Sequence, residues 1–181
     1  SAQDGDRTTL TVGYSVPVAS GVRGQAVSFL DGGEVTISLF FDGSSDPKHS
    51  VTVFGGTKDS SGKYTVSYDI PDVDSGTYTV KVSKKNHVTR EYSVTVSGDV
   101  KTLNAEIWLS GDVNADGIRD MTDVVQICRM FNGKASVFDN GDSETKAYRL
   151  KVADIYTDNS IDTTDINQIL RYYSGKSSTL G

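Results

Sequence analysis

Hydrophobic and polar residues alternate with a period of two along most of the chain before Leu109. One such segment carries Val35, Ile37, Leu39 and Phe41 on the same face of a predicted strand. Turns rich in Gly, Asp, Ser and Pro separate four further segments of this kind, at residues 64–70, 78–82, 92–96 and 103–109. Seven or eight short strands, each with one buried face, predict a β-sandwich of about 100 residues.

The period changes to 3.6 residues after Gly111. One predicted helix ends at Gly133 and has an apolar face made of Val124, Ile127, Cys128 and Phe131. A second ends at Gly175 and repeats those spacings with Ile166, Ile169, Leu170 and Tyr173. We expect the Cys128 thiol to be packed rather than reactive, because it lies on the apolar stripe. The predicted fold class is two domains in contact, an all-β sandwich over residues 1–109 and an all-α domain over residues 110–181.

The helical region contains an internal duplication. Residues 111–134 align without a gap with residues 153–176 when shifted by 42 positions. The matched pairs are Asp112/Asp154, Asp116/Asp158, Asp120/Asp162, Thr122/Thr164, Asp123/Asp165, Gln126/Gln168, Ile127/Ile169, Arg129/Arg171 and Gly133/Gly175. This self-similarity indicates two copies of one structural unit.

Each copy opens with a twelve-residue loop that has aspartate at positions 1, 5, 9 and 12. Ca²⁺ takes six to eight oxygen ligands, which such a loop supplies from alternating positions, whereas Mg²⁺ prefers a tighter octahedron. The candidate ligands of the first loop are the side chains of Asp112, Asn114, Asp116, Asp120 and Asp123 and the carbonyl of Ile118. Those of the second are Asp154, Asp158, Asp162 and Asp165 and the carbonyl of Ser160. We predict two calcium ions rather than two solvated acidic turns, because the crowded carboxylates repel one another without a cation.

Two of the differences between the second loop and the first bear on calcium binding. Asn159 replaces Gly117, which is tolerable because asparagine enters the left-handed region more readily than most residues. Tyr156 replaces Asn114, and a phenol is a poor substitute for an amide oxygen, so we expect a weaker second site or one completed by water. We also expect the helical region to fold only with calcium, because its helices are short and its core is small.

Composition excludes several classes of function. The net charge is −6 and Lys and Arg do not cluster, which argues against nucleic acid as a partner. No stretch approaches the ~20 apolar residues of a membrane span, and one cysteine rules out a disulfide within the chain. His49 and His87 form no recognisable nucleophile or zinc arrangement, so we predict no enzyme activity. Because Ser1 is the first residue and Met121 the first methionine, we expect a processed or excised part of a longer protein, with any catalysis upstream.

The paired loops resemble a dockerin module, the unit that fixes enzymes and scaffold proteins into cellulosomes by binding cohesin modules. The resemblance covers residues 111–176 and is carried by Asp at position 12, one helix after each loop, and the stops at Gly133 and Gly175. A strand rather than a helix precedes the first loop, which favours a dockerin over a calmodulin-like sensor. The resemblance implies two calcium ions, secretion to a cellulosome or bacterial cell surface, and a middle helix through residues 144–151 capped by Asp142 or Ser143.

The resemblance also implies which residues contact cohesin, namely the last loop residues before position 12 and the outer helix faces. Transferred to this sequence, they are Met121, Thr122, Val125, Arg129 and Met130 in the first copy and Thr163, Thr164, Asn167, Arg171 and Tyr172 in the second. Exposed apolar side chains beside arginine are typical of interface cores. Since the two faces differ in sequence, we expect one of them to be preferred.

The N-terminal region resembles the prealbumin-like or carboxypeptidase-regulatory-like sandwiches that stand beside dockerins as X-modules. Residues 62–96 carry this resemblance, above all the stretch GTYTVKVSKKNHVT that begins at Gly76. Three roles stay open: a spacer that stabilises the dockerin, extra contacts to cohesin, or weak polysaccharide binding through Phe40, Phe54 and Trp108. The simplest use of Trp108 is packing against the helical region. The alternative function is a calcium-stabilised carbohydrate-binding module of a secreted polysaccharide-degrading enzyme.

Overall fold

The chain folds into a β-rich region followed by a helical region. The computed structural model describes residues 19–178 and 180, so residues 1–18 of the predicted sandwich lie outside the described residues. The strands in this part of the chain are β1 (Gly21–Ser28), β2 (Val35–Phe41), β3 (His49–Val53), β4 (Thr57–Lys58), β5 (Tyr64–Pro71), β6 (Gly76–Ser83), β7 (Arg90–Val96), β8 (Val100–Thr102) and β9 (Ala105–Glu106). The helices are α1 (Met121–Phe131), a 3₁₀ turn (Val137–Asp139), α2 (Ser143–Ala153) and α3 (Thr163–Tyr173).

The strands form two sheets around one core. One sheet has the order β4-β5-β1-β8, with β9 also pairing with β1, and the other has the order β3-β2-β6-β7. All pairs are antiparallel except those of β8 and β9 with β1. Val22 and Tyr68 of the first sheet share a buried cluster with Ile37 and Val80 of the second. The predicted β-sandwich is confirmed over the described residues.

The alternating pattern predicts the buried faces of β2, β5 and β6, but no predicted segment falls on β1, β3, β4 or β8. Val35, Ile37 and Leu39 are buried, whereas Phe41 at the end of β2 is 44% exposed. In β1 the period is hidden by glycine, and Gly24 is required there because a Cβ would lie 1.9 Å from the carbonyl oxygen of Leu103. A backbone approach of this kind is a common reason for glycine inside a strand.

Aspartates at the loop ends start the two repeated helices. The Asp120 side chain caps α1 and accepts from the backbone N–H of Thr122, and Asp162 caps α3 in the same way by accepting from Thr164. The predicted middle helix is also confirmed as α2, whose cap Asp142 accepts from the Thr145 N–H at 2.7 Å. Each cap satisfies an N–H group that has no partner within its helix.

A second buried cluster joins the two regions. Phe29, Trp108 and Leu109 from the β-rich region pack with Ile127 and Ile169 of the repeated helices. The predicted use of Trp108 is confirmed: it is 6% exposed, and its ring centroid lies 5.2 Å from that of Tyr148 on α2. The Tyr148 hydroxyl donates to the Val88 carbonyl and accepts from the backbone N–H of Trp108, so hydrogen bonds add to the ring contact. The helical region therefore depends on the sandwich for part of its core.

The predicted orientation of α1 is wrong by a fraction of a turn. Cys128 and Phe131, expected on the buried stripe, are exposed, and Phe131 shows 51% of its surface. Met130, expected on the outer face, is partly buried against the second cluster. Val124 and Ile127 of the same predicted stripe are buried, and so is Asp123, whose carboxylate accepts hydrogen bonds from the first loop.

Candidate calcium loops and partner-binding face

The first loop is organised around the buried carboxylate of Asp112. Its Oδ1 accepts from the N–H of Asp116 at 3.2 Å and its Oδ2 from the N–H of Gly117 at 2.8 Å. Burial, and then the nearby charge of Asp123, raise the pKa of Asp112 to about 7. The backbone thus folds around a carboxylate whose negative charge is costly at this position.

Asp123 closes the same loop from its other end. Its Oδ1 accepts from the N–H of Val113 at 2.9 Å, and its Oδ2 accepts from the N–H of Asp120 at 3.0 Å. Burial raises the pKa of Asp123 to about 6, although these hydrogen bonds oppose the shift. The loop therefore brings two buried carboxylates into electrostatic contact, an arrangement that a cation would stabilise.

The remaining candidates of the first loop lie on its surface side. Asp116 is exposed and its Oδ1 accepts from the Ile118 N–H at 2.8 Å. The Asn114 carboxamide contacts Asp116 twice, since its Oδ1 accepts from the backbone N–H and its Nδ2 donates to the carboxylate. All candidate donor atoms in this loop are oxygens, which suits a hard cation.

The second loop repeats this hydrogen-bond network with less burial. Asp154 accepts from the backbone N–H groups of Asp158 and Asn159, and Asp165 accepts from those of Ile155 and Asp162. Asp165 is buried, but Asp154 is only half-buried and Asn159 is exposed. The expected left-handed conformation is present at Asn159, with φ 63° against 84° at Gly117. The hydroxyl-bearing Tyr156 and the proposed carbonyl donor Ser160 both lie on the exposed side of this loop.

The two loops suit a calcium ion by the oxygen atoms that they contain, and not by a cluster of side chains already gathered around one point. Across residues 19–178 and 180, no group of three or more Asp, Glu, His or Cys side chains converges on one point. Each loop instead pairs its carboxylates with donors of another kind, such as the Asn114 amide and the Ile118 carbonyl in the first loop. Mixed carboxylate and carbonyl oxygens are the ordinary calcium donor set of such loops.

The outer face of α1 carries an apolar groove of about 430 Å³. Met121 and Val125 are 42% and 47% exposed there, and Cys128 lies one turn further along. The groove also contacts the cationic side chains of Arg129 and Lys134. The first repeat thus presents apolar surface with a positive rim, although the chain as a whole is acidic.

The outer face of α3 is polar. Thr163, Thr164, Asn167 and Arg171 are exposed at the positions equivalent to those of α1. Tyr172 is half-buried because the Arg119 guanidinium lies over its ring, 4.5 Å from the ring centroid. The structure therefore places eight of the ten predicted contact residues on the surface, while Met130 and Tyr172 are partly withdrawn.

Two features of the site escape sequence reasoning. Arg119 is 7% exposed and occupies position 8 of the first loop, where the second loop has Ile161, and this difference between the copies is a visible signal. Phe29 packs against the first loop at Gly117, and no sequence signal connects these two residues.

Comparison with known proteins gives a family match within the helical region. The family model of the dockerin type I domain matches residues 110–173, which confirms the resemblance that the paired loops indicate. Two solved structures are similar to the chain, and both are described as interface mutants of a type II cohesin–X-dockerin complex from Acetivibrio cellulolyticus. The N-terminal interface mutant is 24% identical, with 85% of this chain and 95% of that chain covered and a TM-score of 0.34. The C-terminal interface mutant is 21% identical, with 84% and 96% covered and a TM-score of 0.30. Among curated proteins, none matches the chain.

Proposed function

We propose that the helical region binds a cohesin module in a calcium-dependent manner and so attaches its parent protein to a scaffold. The observation that carries this proposal is the dockerin match over residues 110–173, the segment that contains both acidic loops and the apolar groove on α1. Attachment by a separate small domain requires a stable docking surface and no reacting groups. We therefore regard this part of the chain as non-catalytic.

Calcium is the cation that best suits the two loops. In the first loop, Asp112, Asn114, Asp116, Asp120 and Asp123 with the Ile118 carbonyl would hold one ion. In the second loop, Asp154, Asp158, Asp162 and Asp165 with the Ser160 carbonyl would hold another. Each ion would neutralise carboxylates at both ends of its loop and fix the start of the following helix. The burial of Asp112 and Asp123 supports this assignment, since burial is the largest cause that raises both pKa values.

The outer face of α1 is the proposed cohesin contact. Met121, Thr122, Val125 and Arg129 are all exposed there, and the apolar members line one groove. Its rim of Arg129 and Lys134 suits a partner surface that surrounds an apolar patch with carboxylates. On α3, Thr163, Thr164, Asn167 and Arg171 offer a polar face, so we propose that α1 supplies the anchor in one preferred orientation. Met130 and Tyr172 contribute less, because both are partly buried.

The β-rich region serves as a stabilising spacer in this proposal. We keep the division into residues 1–109 and 110–181 as a proposed domain organisation, with the cluster around Trp108 as its internal contact. Carbohydrate binding is less well supported, since Trp108 is buried and Lys81 covers the Phe40 ring at 5.0 Å. Phe54, 76% exposed, is left as the one exposed platform among the three aromatic candidates, and all three lie in the described residues.

We place the protein outside the cell, on a cellulosome or a bacterial cell surface, because that is where dockerin-bearing proteins act. No helix in the described residues has the length and apolarity needed to cross a bilayer.

A pull-down of the full chain against a panel of cohesin modules tests the proposal. We expect at least one cohesin to retain the chain in millimolar calcium and to release it in excess chelator. Variant Val125→Asp should bind at least about tenfold more weakly, because a charge enters the apolar groove. Phe54→Ala is the matched control for an exposed apolar residue that does not line the groove, and it should bind normally. Retention by no cohesin in calcium, or retention that chelator does not change, would contradict the proposal.

A further inference from the structure

The aromatic ring of Phe29 lies directly against the first acidic loop. Phe29 follows β1 in the sandwich and is only 1% exposed. A Cβ placed on Gly117 would lie 2.4 Å from Phe29 Cδ1 and 2.8 Å from Cε1, so no larger residue fits at Gly117 while the ring stays in place. The equivalent residue of the second loop, Asn159, is exposed. Only the first of the two loops is thus packed against the sandwich at this position.

The backbone that carries the ring is held by hydrogen bonds from both sides. The N–H of Phe29 donates to Nε2 of His87 at 3.0 Å, and its carbonyl accepts from Nζ of Lys84 at 2.9 Å. The Lys84 side chain is itself only 3% exposed and pairs with Asp31. Both hydrogen bonds are partly buried and one involves a charged donor, so breaking them costs stability.

The contact reaches a proposed calcium ligand in one step. The N–H of Gly117 donates to Oδ2 of Asp112 at 2.8 Å, and Asp112 is the fully buried carboxylate at position 1 of the loop. Displacement of the turn at Gly117 would therefore displace the donor that orients Asp112. A ligand carboxylate must be held by such outer contacts to meet its ion in the right direction.

We propose that Phe29 is a positioning residue for the first calcium loop, so that calcium affinity of this loop, but not of the second, depends on the sandwich. This inference rests on the proposed calcium binding. By linkage, calcium in the first loop must strengthen the contact with the sandwich by the same factor by which that contact strengthens calcium binding. The β-rich region is then part of one metal site and not merely a spacer.

Calorimetric calcium titration of the full chain in two backgrounds tests this. Asp154→Asn disables the second loop and reports on the first, whereas Asp112→Asn disables the first and reports on the second. We expect Phe29→Ala to weaken calcium binding at least about fivefold in the Asp154→Asn background and less than about twofold in the Asp112→Asn background. Phe54→Ala, which removes an exposed ring from the same region, should change neither.

A steric rescue separates positioning from general stability. Gly117→Asn copies the residue of the second loop, so it tolerates the left-handed backbone but collides with the Phe29 ring. It should weaken calcium binding to the first loop by at least about tenfold, and Phe29→Ala in the same chain should restore part of the loss by making room. The reverse change, Asn159→Gly, should leave the second loop within about twofold of its normal affinity.

The outcomes distinguish this inference from the function on which it rests. If neither background binds calcium, the proposed calcium dependence itself fails. If both bind but Phe29→Ala acts equally in the two backgrounds, the ring provides only general stability and the positioning role is overturned. If Phe29→Ala does not fold, the Gly117→Asn variant tests the proposal by itself. Unchanged calcium affinity of the first loop in that variant overturns the proposal.

Discussion

The two repeats of the helical region share one sequence pattern but have different surroundings. The first repeat lies against the sandwich, with Asp112 fully buried and Gly117 under the Phe29 ring. In the second, Asp154 is only half-buried and Asn159 is exposed. The outer faces differ as well, since α1 exposes Met121 and α3 exposes Thr163 at the matching position.

The difference teaches that a duplication can keep its local chemistry while its copies take on separate tasks. In both loops the backbone N–H of position 6 donates to the carboxylate of position 1. The carboxylate of position 12 accepts from the backbone N–H of position 2. These bonds lie within 12 residues of sequence and recur in both copies, although the surroundings of the two loops differ. Burial and surface character depend on the neighbouring elements, and in the function proposed above they assign anchoring and partner contact to the first repeat. The second repeat, through Ile169, completes the shared core.

Removal of calcium should have the largest effect and should separate the two repeats. Each ion contributes about 4 kcal/mol when its concentration is about 1,000 times the Kd, so two ions provide most of the stability of a small helical region. We expect excess chelator to abolish most of the helical circular dichroism signal near 222 nm. As calcium is lowered stepwise, hydrogen exchange should accelerate at the Asn159 amide before the Gly117 amide, because only the first loop has support from Phe29.

A matched control for chelation is the β-rich region itself. Amides in β2 and β6 belong to the separate sandwich core, so their hydrogen exchange should change much less than that of the loops. A helical signal indifferent to chelator would contradict the prediction. Simultaneous loss of protection at both loops would remove the difference between the repeats.

Local patterns in the sequence predict most of this comparison, and long-range contacts account for what they miss. The loop aspartates and the cap of α2 at Asp142 follow from local sequence patterns, because such patterns span only a few residues. The prediction that Cys128 is packed is wrong. The helical period does not reveal that the loop buries Asp123 on the other side of α1 by a hydrogen bond to its carboxylate. The packing of Phe29 on Gly117 joins residues far apart in the chain, and periodicity carries no information about such a pair.

Acidification should loosen the first repeat through His87. Burial is the main cause that lowers the pKa of His87 to about 4 from its ordinary 6.5, and the charges of Lys84 and Arg119 lower it further while Asp31 opposes them. The unfolded chain therefore takes up this proton first. The stabilising contribution is fully present above pH 6.5 and is lost as the pH falls towards 4, up to about 3 kcal/mol.

Thermal or urea unfolding between pH 4 and 7 in excess calcium measures this effect. His87→Gln serves as the control, because a carboxamide accepts from the Phe29 N–H without titrating. The difference in free energy of unfolding between the original chain and the variant should shrink or reverse as the pH falls. Parallel pH profiles for the two proteins would contradict a role for His87 in holding Phe29.

Equivalent charges placed on the two outer faces should affect cohesin binding unequally. Val125→Asp puts a carboxylate into the apolar groove of α1, and we expect about 30-fold weaker binding, or about 2 kcal/mol. Asn167→Asp makes the same kind of change at the matching position of α3, where the surface is already polar, and should cost less than about threefold. Calorimetry or surface plasmon resonance with a retained cohesin gives both values. Equal losses would mean that both faces bind, and a larger loss for Asn167→Asp would reverse the assignment.

The smallest expected effect concerns position 3, the one proposed side-chain ligand position at which the two loops differ. Tyr156 is 44% exposed and stands where the first loop has Asn114, whose carboxamide oxygen is a proposed ligand. Tyr156→Asn should therefore strengthen calcium binding to the second loop by about fivefold, or about 1 kcal/mol, when measured by calorimetry in the Asp112→Asn background. The converse change, Asn114→Tyr in the Asp154→Asn background, should weaken calcium binding to the first loop. This loss should exceed the gain from Tyr156→Asn, because the phenol must fit beside a buried carboxylate. If the Asn substitution leaves the second loop unchanged, donor chemistry at this position is not what separates the loops, and contact with the sandwich at Gly117 becomes the remaining cause.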